Sequence, residues 1–348
     1  MLESTQNWST AAEVVYEIQP PLAFSTLGCP DWSFEDLISK GREYGYSGVE
    51  IRLLQRETDL LARPEFRPSE LPLRRRQLGD ANFQVCGLSS SVRFHDLDPA
   101  ERDRQLATGR AYCDLARELG AKFVRVFGDV LEPKSEIPNL KSQISSLKPQ
   151  ISNSHLASLR WIADGLQALG EYAETVDVDI LIETHGDFCR TPLMVALMQH
   201  INCPAVGVLW DTHHPWRFHH EPLVETFEML RPWIRHSHWK DSVTRLVPKL
   251  EQQSAEGVAA AQLAHQTNPG HQSADYVLFG GGEFPIRECL WFLKPWHTWT
   301  ACGSRPLWYC LEWEKMWHPE LEEPEVALRL FPRKITELMQ SLVVDDES

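Results

Sequence analysis

Four residues that could bind a metal ion follow one another along the second half of the chain, each at the end of a β-rich segment. They are Glu183, Asp211, His238 and Glu312. Carboxylates and a neutral imidazole bind Mn²⁺, Mg²⁺, Co²⁺ or Zn²⁺ and leave open positions for the oxygen atoms of a substrate. Three carboxylates placed together without a cation would repel one another. The set therefore predicts a site for one divalent metal ion.

The same residue types also have an ordinary structural explanation. One carboxylate or one histidine at a strand end is more often a helix cap or an ion-pair partner than a ligand. Four on successive strands favour a metal site over coincidence. His185 and His214 follow the first two carboxylates closely, and we expect them to contact a substrate. His213 is expected to be structural, and His219 and His220 are expected to face solvent.

Two further features near these strand ends are less specific. Trp210, Trp216, Trp239 and Trp313 could pack on the apolar face of a sugar, but tryptophan is also a common core residue. Residues 280–283, Gly-Gly-Gly-Glu, follow no predicted strand and open no dinucleotide-binding unit. We expect a flexible turn there rather than a phosphate-binding loop.

The elements that must position these residues alternate between short β-rich segments and amphipathic helices. Ser33 and Asp36 form a predicted capping box for the first helix, which Gly45 ends. Further helices are predicted at residues 100–119, 155–173 and 325–342. The eight predicted strands are residues 22–26, 48–51, 84–88, 122–127, 179–183, 206–211, 234–238 and 308–312. Eight parallel strands with intervening helices predict an α/β fold, a (β/α)8 TIM barrel, whose strand ends carry the chemistry.

The domain organisation follows from the absence of a break in composition. The 348 residues are predicted to form one domain, residues 1–348. Two segments, near residues 130–153 and 242–278, are poor in strand and core-helix pattern and are predicted insertions. Both follow predicted strands, so each could be a lid, an oligomer arm or a surface loop.

Composition excludes some classes of function. The formal net charge of −15 disfavours nucleic-acid binding, and the run Arg74-Arg75-Arg76 is expected on a solvated helix face. The eight cysteines include no Cys-x-x-Cys pair, which favours reduced, buried thiols. No signal peptide and no apolar run of about 18 residues is visible. A cytoplasmic protein with no membrane partner is therefore expected.

With these motifs, the chain resembles the sugar phosphate isomerase/epimerase family of the xylose isomerase-like TIM barrel superfamily. The resemblance covers most of the chain and is specific for the superfamily, but it selects no substrate. The segments that carry it are residues 25–30, 48–52, 182–185, 210–214, 238–241, 281–285 and 311–314.

The resemblance implies roles for individual residues. It makes Glu183, Asp211, His238 and Glu312 the ligands of one divalent ion, and it makes the two glutamates the groups that exchange a proton on either face of an enediolate. His214 matches a substrate-contacting histidine, and Lys240 matches a lysine that contacts substrate or braces its loop. Glu314 would replace Glu312 if the strand register were shifted by two residues, because both would point the same way.

The implied activity is isomerisation or epimerisation of a sugar, polyol or sugar derivative. The family's keto-sugar epimerases carry a further carboxylate and an arginine near positions where this chain has Asp187 and Arg245, without clear alignment. A dehydratase of the sugar or inosose type therefore fits as well. A non-catalytic carbohydrate-binding barrel stays open, and an apurinic endonuclease is disfavoured by the single site and the acidic charge. An oligomer of identical chains is expected by analogy.

Overall fold

Eight parallel strands close into a barrel, as the sequence predicts. The computed structural model describes residues 20–131, 153–245, 274–293 and 306–346. Around the barrel the strands follow the order β1, β10, β7, β6, β5, β4, β3, β2, and each neighbouring pair is parallel. The barrel strands are β1 (Leu22–Ser25), β2 (Gly48–Ile51), β3 (Gln84–Arg93), β4 (Phe123–Phe127), β5 (Asp179–Glu183), β6 (Val206–Asp211), β7 (Ile234–Trp239) and β10 (Tyr309–Leu311). The predicted (β/α)8 fold is confirmed.

Helices cover the outside of the barrel. The first begins at the predicted capping box, where Ser33 and Asp36 bond each other's backbone N–H groups, and it ends at Gly45, which has a φ of 96°. The helices are α1 (Phe34–Tyr44), α2 (Leu71–Asp80), α3 (Pro99–Leu119), α4 (Asn153–Thr175), α5 (Thr191–Met198), α6 (His213–His219), α7 (Leu223–Leu230), α8 (Ile286–Leu293) and α9 (Pro324–Asp346). The predicted helices within α3, α4 and α9 are therefore present, each slightly longer than expected.

The alternation of side chains along the strands separates two apolar layers. One lies between the strands and the helices, and a smaller cluster that includes Leu181 and Leu209 fills the barrel interior. Residues i and i+2 of a strand point to the same face. Glu183 and Asp211 therefore also point inward, one step nearer the C-terminal ends of the strands. The inner apolar cluster closes the barrel below them.

Gly87 on β3 offers a test of how tightly the barrel is packed. A Cβ atom added there would lie 2.1 Å from the Phe123 ring. We expect Gly87→Ala to lower the free energy of unfolding by about 1–3 kcal/mol, because neither strand nor ring can move freely. Urea denaturation measures the change. Gly79→Ala on α2 is the control, since nothing lies within 4 Å of its added Cβ. An equal loss in both variants would contradict the packing argument.

The segment 242–278 is poor in strand pattern, yet it contains strand residues near both ends. Strand β8 (Asp241–Thr244) pairs antiparallel with β9 (Ala274–Val277), outside the barrel. Residues 246–273 lie outside the described residues, as does nearly all of the other predicted insertion, residues 130–153.

The glycine-rich turn after β9 also differs from the sequence prediction. Residues 280–283 follow a strand and are held in place by Asp241, whose carboxylate accepts the backbone N–H groups of Gly280, Gly282 and Phe284 at 3.0, 2.8 and 3.1 Å. Glu283 pairs with Arg217 at 2.9 Å. These hydrogen bonds fix the turn to Asp241, the first residue of β8, so the turn is held in one position rather than being flexible.

Other predictions concern the surface and the thiols. Arg75 and Arg76 are exposed on α2, while Arg74 is half-buried and pairs with Glu35 at 2.6 Å. The seven cysteines within the described residues are all buried and unbonded to one another. Among the helices of the described ranges, none is long and apolar enough to cross a membrane. The single-domain organisation and the oligomer stay predictions.

Candidate active site at the barrel mouth

The four residues predicted as metal ligands lie together at the C-terminal end of the barrel. One ligand atom from each of Glu183, Asp211, His238 and Glu312 can be chosen so that all four lie within 4.8 Å of one another, and all four residues are buried. We call these residues the four-residue group. Glu314, the alternative to Glu312, lies one step further toward solvent and outside the group. The barrel thus joins strand ends that are far apart in sequence.

His238 connects this group to a deeper layer of the barrel. Its Nδ1 lies 3.2 Å from Glu312 Oε2 and 3.6 Å from Glu183 Oε1. Its Nε2 lies 2.9 Å from Glu50 Oε2 on β2. If Nε2 donates its proton to Glu50, Nδ1 keeps a lone pair directed toward the group. A carboxylate behind a histidine fixes the tautomer and raises the basicity of a ligating imidazole.

Glu50 also bonds His236 Nε2 at 2.8 Å and accepts the Ser89 hydroxyl, so its oxygens are fully used. Burial raises the pKa of Glu50, but His238 and His236 outweigh burial and hold it well below its usual value. Cys310 lies in the same inner cluster, but burial raises the pKa of its thiol well above the usual range. We therefore interpret this cluster as a hydrogen-bonded support for His238.

Glu50→Gln tests that support, because glutamine keeps the shape of the side chain and removes its charge. We expect the affinity for Mn²⁺ to fall about 10- to 100-fold, the usual effect of losing a residue that supports a ligand. Titration followed by electron paramagnetic resonance measures the dissociation constant. Glu57→Gln, at an exposed glutamate, is the matched control. Unchanged affinity in Glu50→Gln would contradict the role.

Arg125 on β4 holds Glu183 from the opposite side. Its Nε lies 3.2 Å from Glu183 Oε2, and its Nη1 donates to the Ser90 carbonyl at 3.0 Å. The Phe127 ring packs against the guanidinium with a separation of 3.8 Å. Burial raises the pKa of Glu183, but Arg125 and His238 hold it below its usual value. Sequence reasoning missed Arg125, although its position between Val124 and Val126 on β4 was a signal that it points to the opposite face, toward the barrel interior.

Lys240 places a positive charge beside the group. Its Nζ lies 2.9 Å from Asp211 Oδ2, 2.5 Å from Glu312 Oε2 and 2.8 Å from Glu314 Oε1. Burial raises the pKa of Asp211 to about 6, although Lys240 opposes the change. Burial alone would raise the pKa of Glu312 too, but His238 and Lys240 hold it well below its usual value. Glu312 is therefore ionised at neutral pH.

The two histidines predicted to contact substrate lie next to the group. His214 Nδ1 is 3.0 Å from the Thr184 carbonyl, which requires an N–H there and leaves the Nε2 lone pair facing Lys240 Nζ at 3.1 Å. His185 Nδ1 is 3.6 Å from Asp129 Oδ1. Burial lowers the pKa of His185, but Asp129 and Glu183 raise it above its usual value. The rings of His185 and His214 are 5.7 Å apart.

The remaining candidate residues are not members of the four-residue group. Trp210 and Trp239 are completely buried and pack on Phe227 and Tyr309, so both are core residues rather than a sugar-binding surface. Trp313 is also buried and donates to the Glu322 carbonyl, and Trp216 is half-buried beneath Arg217. His213 bonds Ser242 at 2.7 Å among aromatic rings, His219 is half-buried and His220 is exposed.

The two departures from the epimerase pattern also lie away from the group. Asp187 accepts the backbone N–H of Leu131 at 2.8 Å, and Arg245 pairs with Asp275 of β9 at 2.8 Å. Each is therefore bound to a loop or to the β8–β9 pair rather than directed toward the four-residue group.

Comparisons with known proteins show the family and the fold of the chain. A model of the family described as xylose isomerase-like TIM barrel matches residues 38–305. No curated protein matches the chain.

Solved structures share the fold along nearly their whole length. The L-ribulose 3-epimerase structure has a TM-score of 0.64 at 12% identity, covering 94% of this chain and 97% of that one. The probable 3-DHS dehydratase AsbF of Bacillus anthracis has a TM-score of 0.61 at 17% identity, with coverages of 91% and 98%. A xylose isomerase-like TIM barrel protein of Mycobacterium smegmatis in complex with magnesium has a TM-score of 0.61 at 16% identity, with coverages of 92% and 97%. At identities of 12–17%, these similarities show a shared fold and nothing more.

Proposed function

The chain belongs to the xylose isomerase-like TIM barrel family, and on that premise we propose that it is a divalent-metal-dependent enzyme that transfers a proton next to a carbonyl group of a sugar, polyol or sugar derivative. The observation that carries the proposal is the buried group of Glu183, Asp211, His238 and Glu312 at the barrel mouth. Structural neighbours described as an epimerase and a dehydratase support a sugar-modifying enzyme.

The donor set fits a divalent ion. Three carboxylates and one imidazole nitrogen meet in a buried space, and ionised Glu183 and Glu312 are ready to bind a cation. Oxygen donors with one nitrogen suit Mn²⁺, Mg²⁺, Co²⁺ and Zn²⁺, and the choice among them is left to experiment. A bound ion supplies a Lewis acid that stabilises negative charge on a substrate oxygen.

Glu183 and Glu312 are the proposed proton-transfer residues. Their strands, β5 and β10, are separated by β6 and β7 around the barrel, so the two carboxylates approach a central substrate from different sides. One carboxylate removes the proton next to the carbonyl, and an enediolate forms on the substrate. Return of a proton by the other residue to the opposite face inverts the carbon, which is epimerisation.

His185, His214 and Lys240 are proposed to bind substrate. The side chain of His185 is 16% exposed, the largest exposure among these three, so it lies nearest the opening. His214 and Lys240 lie 3.1 Å apart, and the Lys240 amine of this pair can donate to substrate oxygen atoms. Together they fix the substrate between the two glutamates, which is the positioning that proton transfer requires.

Elimination of water is a second candidate. The observation that favours it is the Lys240 amine, which lies 2.5 Å from Glu312 Oε2, because a cation beside a carboxylate base can donate a hydrogen bond to a leaving hydroxyl group. The positions of Asp187 and Arg245, away from the group, also leave the epimerase-specific features unmatched. A dehydratase forms a product that has lost water, whereas an epimerase or isomerase conserves mass.

The test combines metal analysis with isotope exchange. Elemental analysis of the purified chain is expected to find about one divalent ion per chain. Candidate ketoses and inososes incubated in D₂O are expected to gain deuterium next to the carbonyl, observed by NMR, and mass spectrometry separates dehydration from epimerisation. A protein that binds none of the four ions, even after incubation with each, contradicts the proposal and favours a non-catalytic carbohydrate-binding barrel.

A further inference from the structure

Arg52 is a buried cation at the barrel mouth for which the reaction proposed above has no use. It follows β2, two residues beyond Glu50, and therefore points to the same inward face one step nearer the opening. Arg52 is only 8% exposed to solvent. Arg52 Nη2 donates to the Ser91 hydroxyl at 2.9 Å, whereas Nη1 is buried without a hydrogen-bond partner among the described residues.

The charges around Arg52 are already committed elsewhere. The two carboxylates that interact electrostatically with Arg52 are Glu183 and Glu312. They are paired with Arg125 and Lys240 and would also hold the metal ion. Arg125 is a second positive charge close to Arg52, so burial and that like charge lower the pKa of the Arg52 guanidinium to about 10. A buried guanidinium with an unused N–H group and a like-charged neighbour is unfavourable unless an anion joins it.

Solvent can reach this position. Ser91, which accepts the Arg52 hydrogen bond, is exposed, so the guanidinium spans the boundary between the buried group and the open mouth. The Ser91 hydroxyl, having accepted from Arg52, still has its own proton to donate. The planar guanidinium fork together with a hydroxyl matches the oxygen atoms of a carboxylate or a phosphate.

We propose that Arg52 binds an anionic group of the substrate, a carboxylate or a phosphate, at the barrel mouth. The inference rests on the proposed function and deepens it, since it restricts the substrate to sugar acids, keto acids or sugar phosphates. An uncharged ketose could offer Nη1 a neutral oxygen but would leave the guanidinium charge without a counter-ion. The anion at Arg52 would anchor one end of the substrate while its reacting carbon lies between Glu183 and Glu312.

Calorimetric titration of the full chain loaded with Mn²⁺ tests this assignment with three probes. They are D-gluconate, D-glucitol 6-phosphate and uncharged D-glucitol. We expect at least one charged probe to bind the wild type at least tenfold more tightly than D-glucitol, and the stronger of the two identifies the anion. Arg52→Gln is expected to abolish that preference while its Mn²⁺ content stays unchanged. Arg52→Lys is expected to show a preference between those of the wild type and Arg52→Gln, because lysine keeps the charge but lacks the planar guanidinium fork.

Arg76→Gln is the matched control, since it makes the same change of charge on the exposed face of α2. The assignment is overturned if no charged probe binds the wild type more tightly than D-glucitol, or if Arg52→Gln keeps the wild-type preference. The same titrations are repeated on metal-free protein. A preference for charged probes that depends on Arg52 in a chain that takes up no Mn²⁺ supports the anion site and contradicts the proposed function. Mn²⁺ uptake without that preference contradicts the anion site and leaves the proposed function standing.

Discussion

Replacement of His238 with alanine is expected to reduce the metal content of the purified protein from about one divalent ion per chain to a small fraction of that, and to abolish turnover. His238 supplies the nitrogen donor of the four-residue group, through an Nδ1 that lies 3.2 Å from Glu312. In the metal-free protein, its loss also removes the protonated imidazole that helps to hold the pKa values of Glu183 and Glu312 down. Both carboxylates would then bind protons more readily, which competes with binding of a cation.

Elemental analysis after dialysis against Mn²⁺ measures the effect directly and needs no substrate. His200→Ala is the control, because His200 is exposed and its ring bonds the Ala196 carbonyl of the preceding helix, α5. Circular dichroism and thermal unfolding establish that each variant is folded. A folded His238→Ala protein that retains the wild-type metal content would refute the ligand role and leave the buried group without its proposed function.

Glu312→Gln is expected to slow epimerisation or dehydration by about 10²- to 10⁴-fold, the usual contribution of a general acid or base. Glutamine keeps an oxygen ligand but cannot exchange a proton. For a substrate whose proton is removed by Glu183, deuterium uptake from D₂O should continue in this variant while inversion stops. Glu183→Gln should show the complementary behaviour with the epimeric substrate.

NMR of the substrate and product pools separates exchange from turnover, and the metal content of each variant is measured first because both glutamates belong to the proposed ligand set. Glu314→Gln is the matched control, since Glu314 touches Lys240 at 2.8 Å but lies outside the group. We expect it to keep most of the activity. If Glu314→Gln loses as much activity as Glu312→Gln, the assignment of the proton-transfer residue is wrong.

The four-residue group lies between two kinds of support. Below the group, Glu50 binds both His236 and His238 and directs Nδ1 of His238 toward the group. Beside it, Arg125 and Lys240 neutralise carboxylates that would otherwise repel one another. Because these partners are buried, small displacements are resisted by packing as well as by charge. The mouth thus presents a prearranged set of groups rather than one assembled by the substrate.

Much of the fold and the members of the four-residue group could be predicted from the sequence. Alternating β-rich and helical segments indicated the barrel, and the C-terminal ends of parallel strands share one end of it. Glu183, Asp211 and His238 could therefore be placed together without knowing any distance. The β8–β9 pair could not be predicted, because its strands are separated by residues 246–273 and depend on Asp241 holding the turn at Gly280 and Gly282.

The sequence by itself determined which residue types reach the barrel mouth and in what order, because strand position and a two-residue period suffice for that. Only the tertiary structure decided that Glu312 rather than Glu314 joins the group, that Glu50 orients His238, and that Arg52 keeps an unpaired nitrogen. The physical reason is the stagger of the strands when the sheet closes. That stagger sets which side chains share a layer across the barrel, and it depends on all eight strands at once.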